Sequence, residues 1–472
     1  MSRFRWTILL SVILAGCGPG YVNQALYKLS DQGSPVQNSN PRTESYLQST
    51  PLLLPYDRET QAPDESAATN QSVAQAVAGT TGPDVVDSDG CFVGLAISGG
   101  GSRSANFAAA CMFQLQRLGM LQKVDCISAV SGGTLAAAYY CTCSDADWNP
   151  INVQKKLSHS YASDVWVDAF WPWNFWDLLL GNLTRSDLLA QRFNDELFHT
   201  HHHDLTFADL RPDRPRLLIN TTELESGRRF TFDNSSFDEI NSNLNNYPLA
   251  YAVAASSAIP IVMPPVPIRD FSTDFKQYYH LVDGGVADNL GVQCLVDSYE
   301  AQIQKSVNPY PHGAILIAID AGVTFNGRLT NQSVLSALQS LLSGLDLSSS
   351  VLLNRASSAT LAEVVVLHSL GTYTAADLRH FIDQLHSDHY IEIKDSRGNP
   401  VRVIHLSLSQ IPELTNASFG TSVNSISTNY DIEKNEAYDL YKAAEILFTQ
   451  RFDARIRPLV AELNSYPQGR QK

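Results

Sequence analysis

Cationic side chains are scarce in this chain: 33 Lys and Arg stand against 48 Asp and Glu, a formal charge of −15 at pH 7. That deficit argues against a nucleic-acid partner, because neutralising phosphates takes clustered Lys and Arg. It argues equally against docking on anionic lipid through a polybasic patch. The N-terminal apolar run, Trp6 to Leu14, is too short to span a bilayer as a helix. The triple glycine at 99–101 is not followed by G-K-[ST] and does not fit G-x-G-x-x-G, which removes the two common nucleotide fingerprints. Beyond Cys17 the cysteines are Cys91, Cys111, Cys126, Cys141, Cys143 and Cys294. Most fall in apolar strand or helix patterns, where buried free thiols are expected. Cys141 and Cys143 are too close to bridge each other easily, and no zinc quartet is present. There are no internal repeats.

The N-terminus reads as a targeting segment. Arg3 and Arg5 precede the apolar run, which closes on Leu14-Ala15-Gly16-Cys17. This resembles a bacterial lipoprotein signal. The resemblance implies a signal peptide at 1–16, acylation of Cys17, and a lipid-anchored protein of the cell envelope. Gly18 rather than Asp follows the cysteine, which implies outer-membrane sorting. Residues 17–88 are rich in Ser, Gln, Asn, Pro and Thr and read as a mostly disordered tether. The folded domain is expected over 89–465.

From Cys91 onward, strand-like and helix-like runs alternate, the pattern of an α/β sheet covered by helices. Strands are expected at 91–97, 124–130, 216–222, 228–232, 314–320, 364–367 and 401–406, helices over 106–118 and 433–448. Three turns stand out. Ser98-Gly99-Gly100-Gly101-Ser102-Arg103 joins the first strand to a helix and exposes backbone N–H groups at the positive helix end, a seat for a phosphate or an oxyanion. Ala129-Val130-Ser131-Gly132-Gly133 is a second strand-to-helix turn, reading A-x-S-x-G where G-x-S-x-G is usual. Asp283-Gly284-Gly285 follows a short apolar run, so its carboxylate can face a cavity framed by backbone.

These three pieces, in this order, resemble the patatin-like phospholipase family, and Ala254-Ala255-Ser256-Ser257-Ala258-Ile259-Pro260 adds a fourth likeness. The resemblance covers roughly 91–291. It implies a three-layer α/β/α fold with a central, mostly parallel sheet. It also implies a Ser-Asp dyad, with Ser131 as nucleophile and Asp283 as proton acceptor. Gly99, Gly100, Gly101 and Gly132 are expected to bind the oxyanion, and Arg103 to hold a lipid phosphate or brace the loop. The implied activity is phospholipase A-like hydrolysis of acyl esters through an acyl-enzyme, without metal or organic cofactor. Two other readings stay open. One is an esterase, lysophospholipase or thioesterase acting on soluble acyl substrates. The other is a non-catalytic lipid-binding lipoprotein, towards which Ala129 leans.

Several features lie outside that pattern. Asp288 competes with Asp283 but lacks the double glycine behind it. His280 suggests a triad that the family does not use. His199 and His201 to His203, with Asp204, form a histidine-rich stretch in which a metal site is the less favoured reading. Trp166, Trp171, Trp173 and Trp176 crowd one segment of an aromatic-rich insertion near 160–200. They read either as a lipid-contacting cap or as a satellite core. Pro172 and Asn174 are expected to interrupt regular helix there.

Overall fold

In this computed structural model the described residues run from 89 to 466, apart from short stretches at 170, 181–182, 201–202, 261, 274–275 and 306, and the segments 323–360 and 362–372. Cys17, the expected signal peptide, the tether and the expected strand at 364–367 lie outside the described residues.

Short apolar runs form the centre of one nine-stranded sheet. Its strands are β1 (Phe92–Ile97), β2 (Cys126–Val130), β3 (Arg216–Glu223), β4 (Arg229–Phe232), β5 (Val266–Asp270), β6 (Gln277–Asp283), β7 (Ala314–Asp320), β8 (Tyr390–Lys394) and β9 (Pro400–Ser407). The order is β5-β6-β3-β2-β1-β7-β9-β8, with β4 paired to β3. Strands β3, β2, β1, β7 and β9 run parallel. Strands β4 and β6 pair with β3 antiparallel, as β8 does with β9. A parallel sheet needs both faces covered, so β1 and β7 are buried along their whole lengths.

The two faces read straight from the period of two along a strand. Val93, Leu95 and Ile97 of β1 join Ile315, Ile317 and Ile319 of β7 in one core. Helices α1 (Gly101–Leu118), α2 (Gly133–Thr142), α3 (Pro150–Leu157), α4 (Tyr161–Ala169), α5 (Pro172–Leu180), α6 (Arg185–Phe193) and α7 (Leu249–Ser256) contribute to that core. Phe92 and Ala96 face the other way, towards α8 (Val292–Ile303) and α9 (Ala375–Ser387). Helix α10 (Lys434–Leu447), closed by a reciprocal Glu433–Glu436 capping box, returns to the first face. The result is the mixed, mostly parallel α/β/α sandwich that the family resemblance implies.

Two expectations change. Helix α1 starts at Gly101 rather than Asn106, so the third glycine is its first residue and the preceding turn sits at its N-terminus. Asn174 does not break helix: the interruption falls between Ala169 and Pro172, and Pro172 opens α5. Proline suits that position because its ring presets φ and the missing N–H is not needed there.

Candidate active site

The glycine-rich turn leaves the end of β1 and the serine turn leaves the end of β2, so both lie on the carboxyl edge of the parallel strands. That edge is where open α/β sheets bind ligands. Strand β6 runs the opposite way and ends there too, with Asp283 paired beside Thr221 of β3.

Ser131 takes a left-handed φ of 48°, unusual for a residue with a side chain. Its N–H donates to Ser256 Oγ at 2.8 Å, and Ser256 Oγ donates to Asn220 O at 2.6 Å. Thr134 N–H and Thr134 Oγ1 both bond Ser131 O. These bonds hold a turn that costs on the order of 1–3 kcal/mol. A Cβ on Gly132 would meet Gly101 O at 2.0 Å, so the serine turn and the glycine turn interlock backbone to backbone. Ala129 sits in the extended backbone of β2, buried and paired with Ile97 and Ile219. That position asks for a small side chain and not for a glycine conformation, which is why A-x-S-x-G suffices.

Ser131 Oγ donates to Asp283 Oδ2 at 2.7 Å. The other carboxylate oxygen, Oδ1, accepts from Gly285 N at 2.7 Å. Gly284 carries the backbone past Asn220, whose O would lie 2.2 Å from any Cβ. Asp283 N–H donates to Ala258 O, and Gly284 N–H to Ser256 O. The Ala254–Pro260 stretch therefore positions both halves of the pair. Burial pushes the Asp283 carboxyl up to about 6, against the opposing pull of its bonds from Ser131 and Gly285.

The expected oxyanion donors divide. Gly99 N–H is already donated to Asn289 O at 3.0 Å, which corrects its expected part: it shapes the turn and offers no donor. Among the described residues, no protein acceptor takes the N–H groups of Gly100, Gly101 or Gly132. Arg103 is 3% exposed, and its Nη1 donates to Ile426 O at 2.9 Å. It ties the glycine turn to the segment 426–431 and is buried, so the expectation that it holds a lipid phosphate is not met by its placement.

That segment carries what sequence reasoning missed. Tyr430 Oη lies 3.2 Å from Ser131 Oγ. Its burial, with Asp283 nearby, holds the phenol well above the usual tyrosine range, so it stays neutral. Asn429 O accepts from Ser102 N at 2.8 Å, and Thr428 O would lie 2.1 Å from a Cβ on Gly101. The strap thus presses on the glycine turn and caps the pair; Ser131 is 3% and Asp283 2% exposed. Tyr430 is 299 positions away from Ser131 in a polar loop, without a motif to announce it.

The competitors are elsewhere. Asp288 accepts from the N–H groups of Gly291 and Gln293 and caps α8. His280 pairs with Glu225 on the exposed part of β6. His199 and His203 pair with separate carboxylates, Asp204 and Asp209. Among the described residues no group of three His, Cys, Asp or Glu is placed to hold a metal ion. The six cysteines from Cys91 to Cys294 are buried free thiols.

Residues 95–295 match the family model described as patatin-like phospholipase, and the match spans all three turns. The chain carries a patatin-like phospholipase domain, with the fold expected of one. Among solved structures it is similar to human GIVD cytosolic phospholipase A2 in complex with methyl gamma-linolenyl fluorophosphonate. There the identity is 13% and the TM-score 0.44, over 80% of this chain and 59% of that one. VipD from Legionella pneumophila gives 14% identity and a TM-score of 0.31, over 77% of this chain and 67% of that one. A chain of the SpcU–ExoU complex from Pseudomonas aeruginosa gives 16% and 0.25, over 59% and 52%. The chain therefore spans less than two thirds of the length of the phospholipase A2 chains it matches. No curated protein matches it.

The raised Asp283 carboxyl has a consequence for stability. The folded state keeps its proton to about pH 6, while the unfolded chain releases it near 3.8. Stability therefore falls as pH rises across that window, by up to about 3 kcal/mol at neutral pH. Asp283→Asn has no charge to desolvate. It is expected to unfold at higher denaturant than the parent at pH 7, with the difference vanishing below about pH 4. A variant less stable than the parent at pH 7 would contradict this.

Proposed function

We propose that this protein is a serine acyl-ester hydrolase acting on lipid substrates, phospholipase A-like, in which Ser131 attacks and Asp283 takes the proton. The single observation that carries the reading is the 2.7 Å hydrogen bond from Ser131 Oγ to a fully buried carboxylate. The patatin-like phospholipase match over 95–295 supports the lipid substrate class.

In the proposed reaction Ser131 Oγ forms a bond to the ester carbonyl carbon as its proton passes to Asp283 Oδ2. The carbonyl oxygen becomes an oxyanion facing the N–H groups of Gly100, Gly101 and Gly132. Collapse breaks the ester bond, and Asp283 returns the proton to the departing alcohol, a lysolipid. Water then attacks the acyl-enzyme with Asp283 again as base, releasing a fatty acid and restoring Ser131. An ordinary aspartate near pH 4 is a weak base for this work; raising it towards the working pH brings it closer to the optimum for general-base catalysis. The N-termini of α1 and α2 both point at the developing charge and supply preorganised stabilisation.

We place the protein at the cell envelope through Cys17. Cys17→Ser is expected to abolish metabolic labelling of the protein with palmitate; unchanged labelling would remove the anchor from this account.

For the chemistry, fatty-acid release from mixed phospholipid vesicles is the direct assay. Ser131→Ala is expected to abolish it, and Asp283→Asn to lower it about a hundredfold or more. Near-parental rates in a folded Ser131→Ala variant would sink the reading.

A further inference from the structure

Tryptophan at a protein surface needs a reason, and this chain makes the contrast itself. Trp148 is 4% exposed and stacks on Phe113. Trp166, Trp171, Trp173 and Trp176 are 43%, 60%, 76% and 58% exposed. The helices that carry them are well seated. Tyr161, Val165 and Ala169 of α4 and Leu178 of α5 are buried in the core, and Arg192 clamps Asp168 with two bonds from α6. The indoles thus face outward from an anchored base, joined by exposed Val167.

We infer that this surface of α4 and α5 is a docking site for the interfacial zone of a zwitterionic lipid bilayer. Indoles favour that zone because they are apolar bodies with one N–H to satisfy. The charge selects the lipid. From Leu157 to Thr184 there is no Lys or Arg; Arg192, from α6, is engaged by Asp168, and buried Arg185 lies over the Trp166 ring. Without a basic cluster in that stretch, anionic headgroups would gain no added attraction. The patch is also tied to the candidate active site. Ala162 N–H, at the start of α4, donates to Tyr430 O, and Ser163 donates twice to Asp431. Tyr430 packs at a tilt against Phe193, and Phe193 edge-on against Tyr161. A bilayer bearing on α4 thus bears on the strap over Ser131. This part of the inference rests on the hydrolase reading; the docking surface does not.

The test uses the full chain carrying Cys17→Ser, which takes the expected acyl anchor out of the measurement. Binding to phosphatidylcholine vesicles is compared with the same chain carrying Trp171→Ser, Trp173→Ser and Trp176→Ser. The substitutions are expected to weaken binding about tenfold or more, in line with the apolar area removed. Brominated phosphatidylcholine is expected to quench tryptophan fluorescence in the parent and not in the variant. Adding phosphatidylglycerol is expected not to tighten binding. Equal binding by both proteins, binding that appears only with phosphatidylglycerol, or no binding to vesicles by the parent would each overturn the inference. A soluble short-chain ester, assayed in parallel, keeps the two readings apart. Equal rates on it, with slower release from vesicles by the variant, support the link from patch to strap. No turnover of it by either protein, with the binding difference intact, sinks the hydrolase reading and leaves the docking surface standing.

Discussion

A buried carboxylate that must hold a serine hydroxyl is the constraint around which this site is built. Asp283 lies at the carboxyl end of the parallel strands, and among the described residues no cation helps set its ionisation and only Ser131 and Gly285 N–H bond its side chain. Its charge is therefore carried by hydrogen bonds alone, and burial lifts the carboxyl towards neutrality. A structural aspartate in such surroundings would be a liability. Asp288 shows the difference: it is also buried, but it has the cation Arg229 nearby and the N–H groups at the start of α8.

The surrounding backbone serves that pair. Backbone from distant parts of the chain meets there without side chains between: Gly132 against Gly101, Gly284 against Asn220 of β3, and Gly101 against Thr428 of the strap. Close approach of this kind brings backbone N–H groups to bear where side chains would otherwise fill space. It also makes the site an assembly of loops whose geometry is set by contact with one another, through Ser256 in particular. That serine supports Ser131 N–H with its hydroxyl and accepts Gly284 N–H with its carbonyl.

Much of this was legible in the sequence, because the signals were local. Continuous apolar runs marked β1 and β7, and each turn carried its glycines beside the residue it presents. Ala129 looked like a defect in the serine turn, and the strand geometry around it removes the difficulty. What could not be read depends on contacts across the fold. Gly99 loses its N–H to Asn289, and Arg103 turns to Ile426, because the strap and the end of α8's leading loop fold back on the glycine turn. Tyr430 belongs to that strap, and nothing in its neighbours hints at Ser131. The hairpin of β5 and β6 was only half visible, since β5 alternates with partly exposed residues and Pro267 and Arg269 weaken its pattern. For the tryptophans, the sequence does not carry their exposure, which the fold supplies.

The central claim is that Asp283, in its raised ionisation range, activates Ser131. The measurement that meets it most directly is the rate of covalent labelling by a fluorophosphonate across pH 4 to 8, with the modified residue located by mass spectrometry. The account predicts one adduct, on Ser131, forming faster as pH rises through about 6 and losing that rise in Asp283→Asn. An adduct elsewhere, or a labelling rate on Ser131 with the same pH dependence in both proteins, would contradict it.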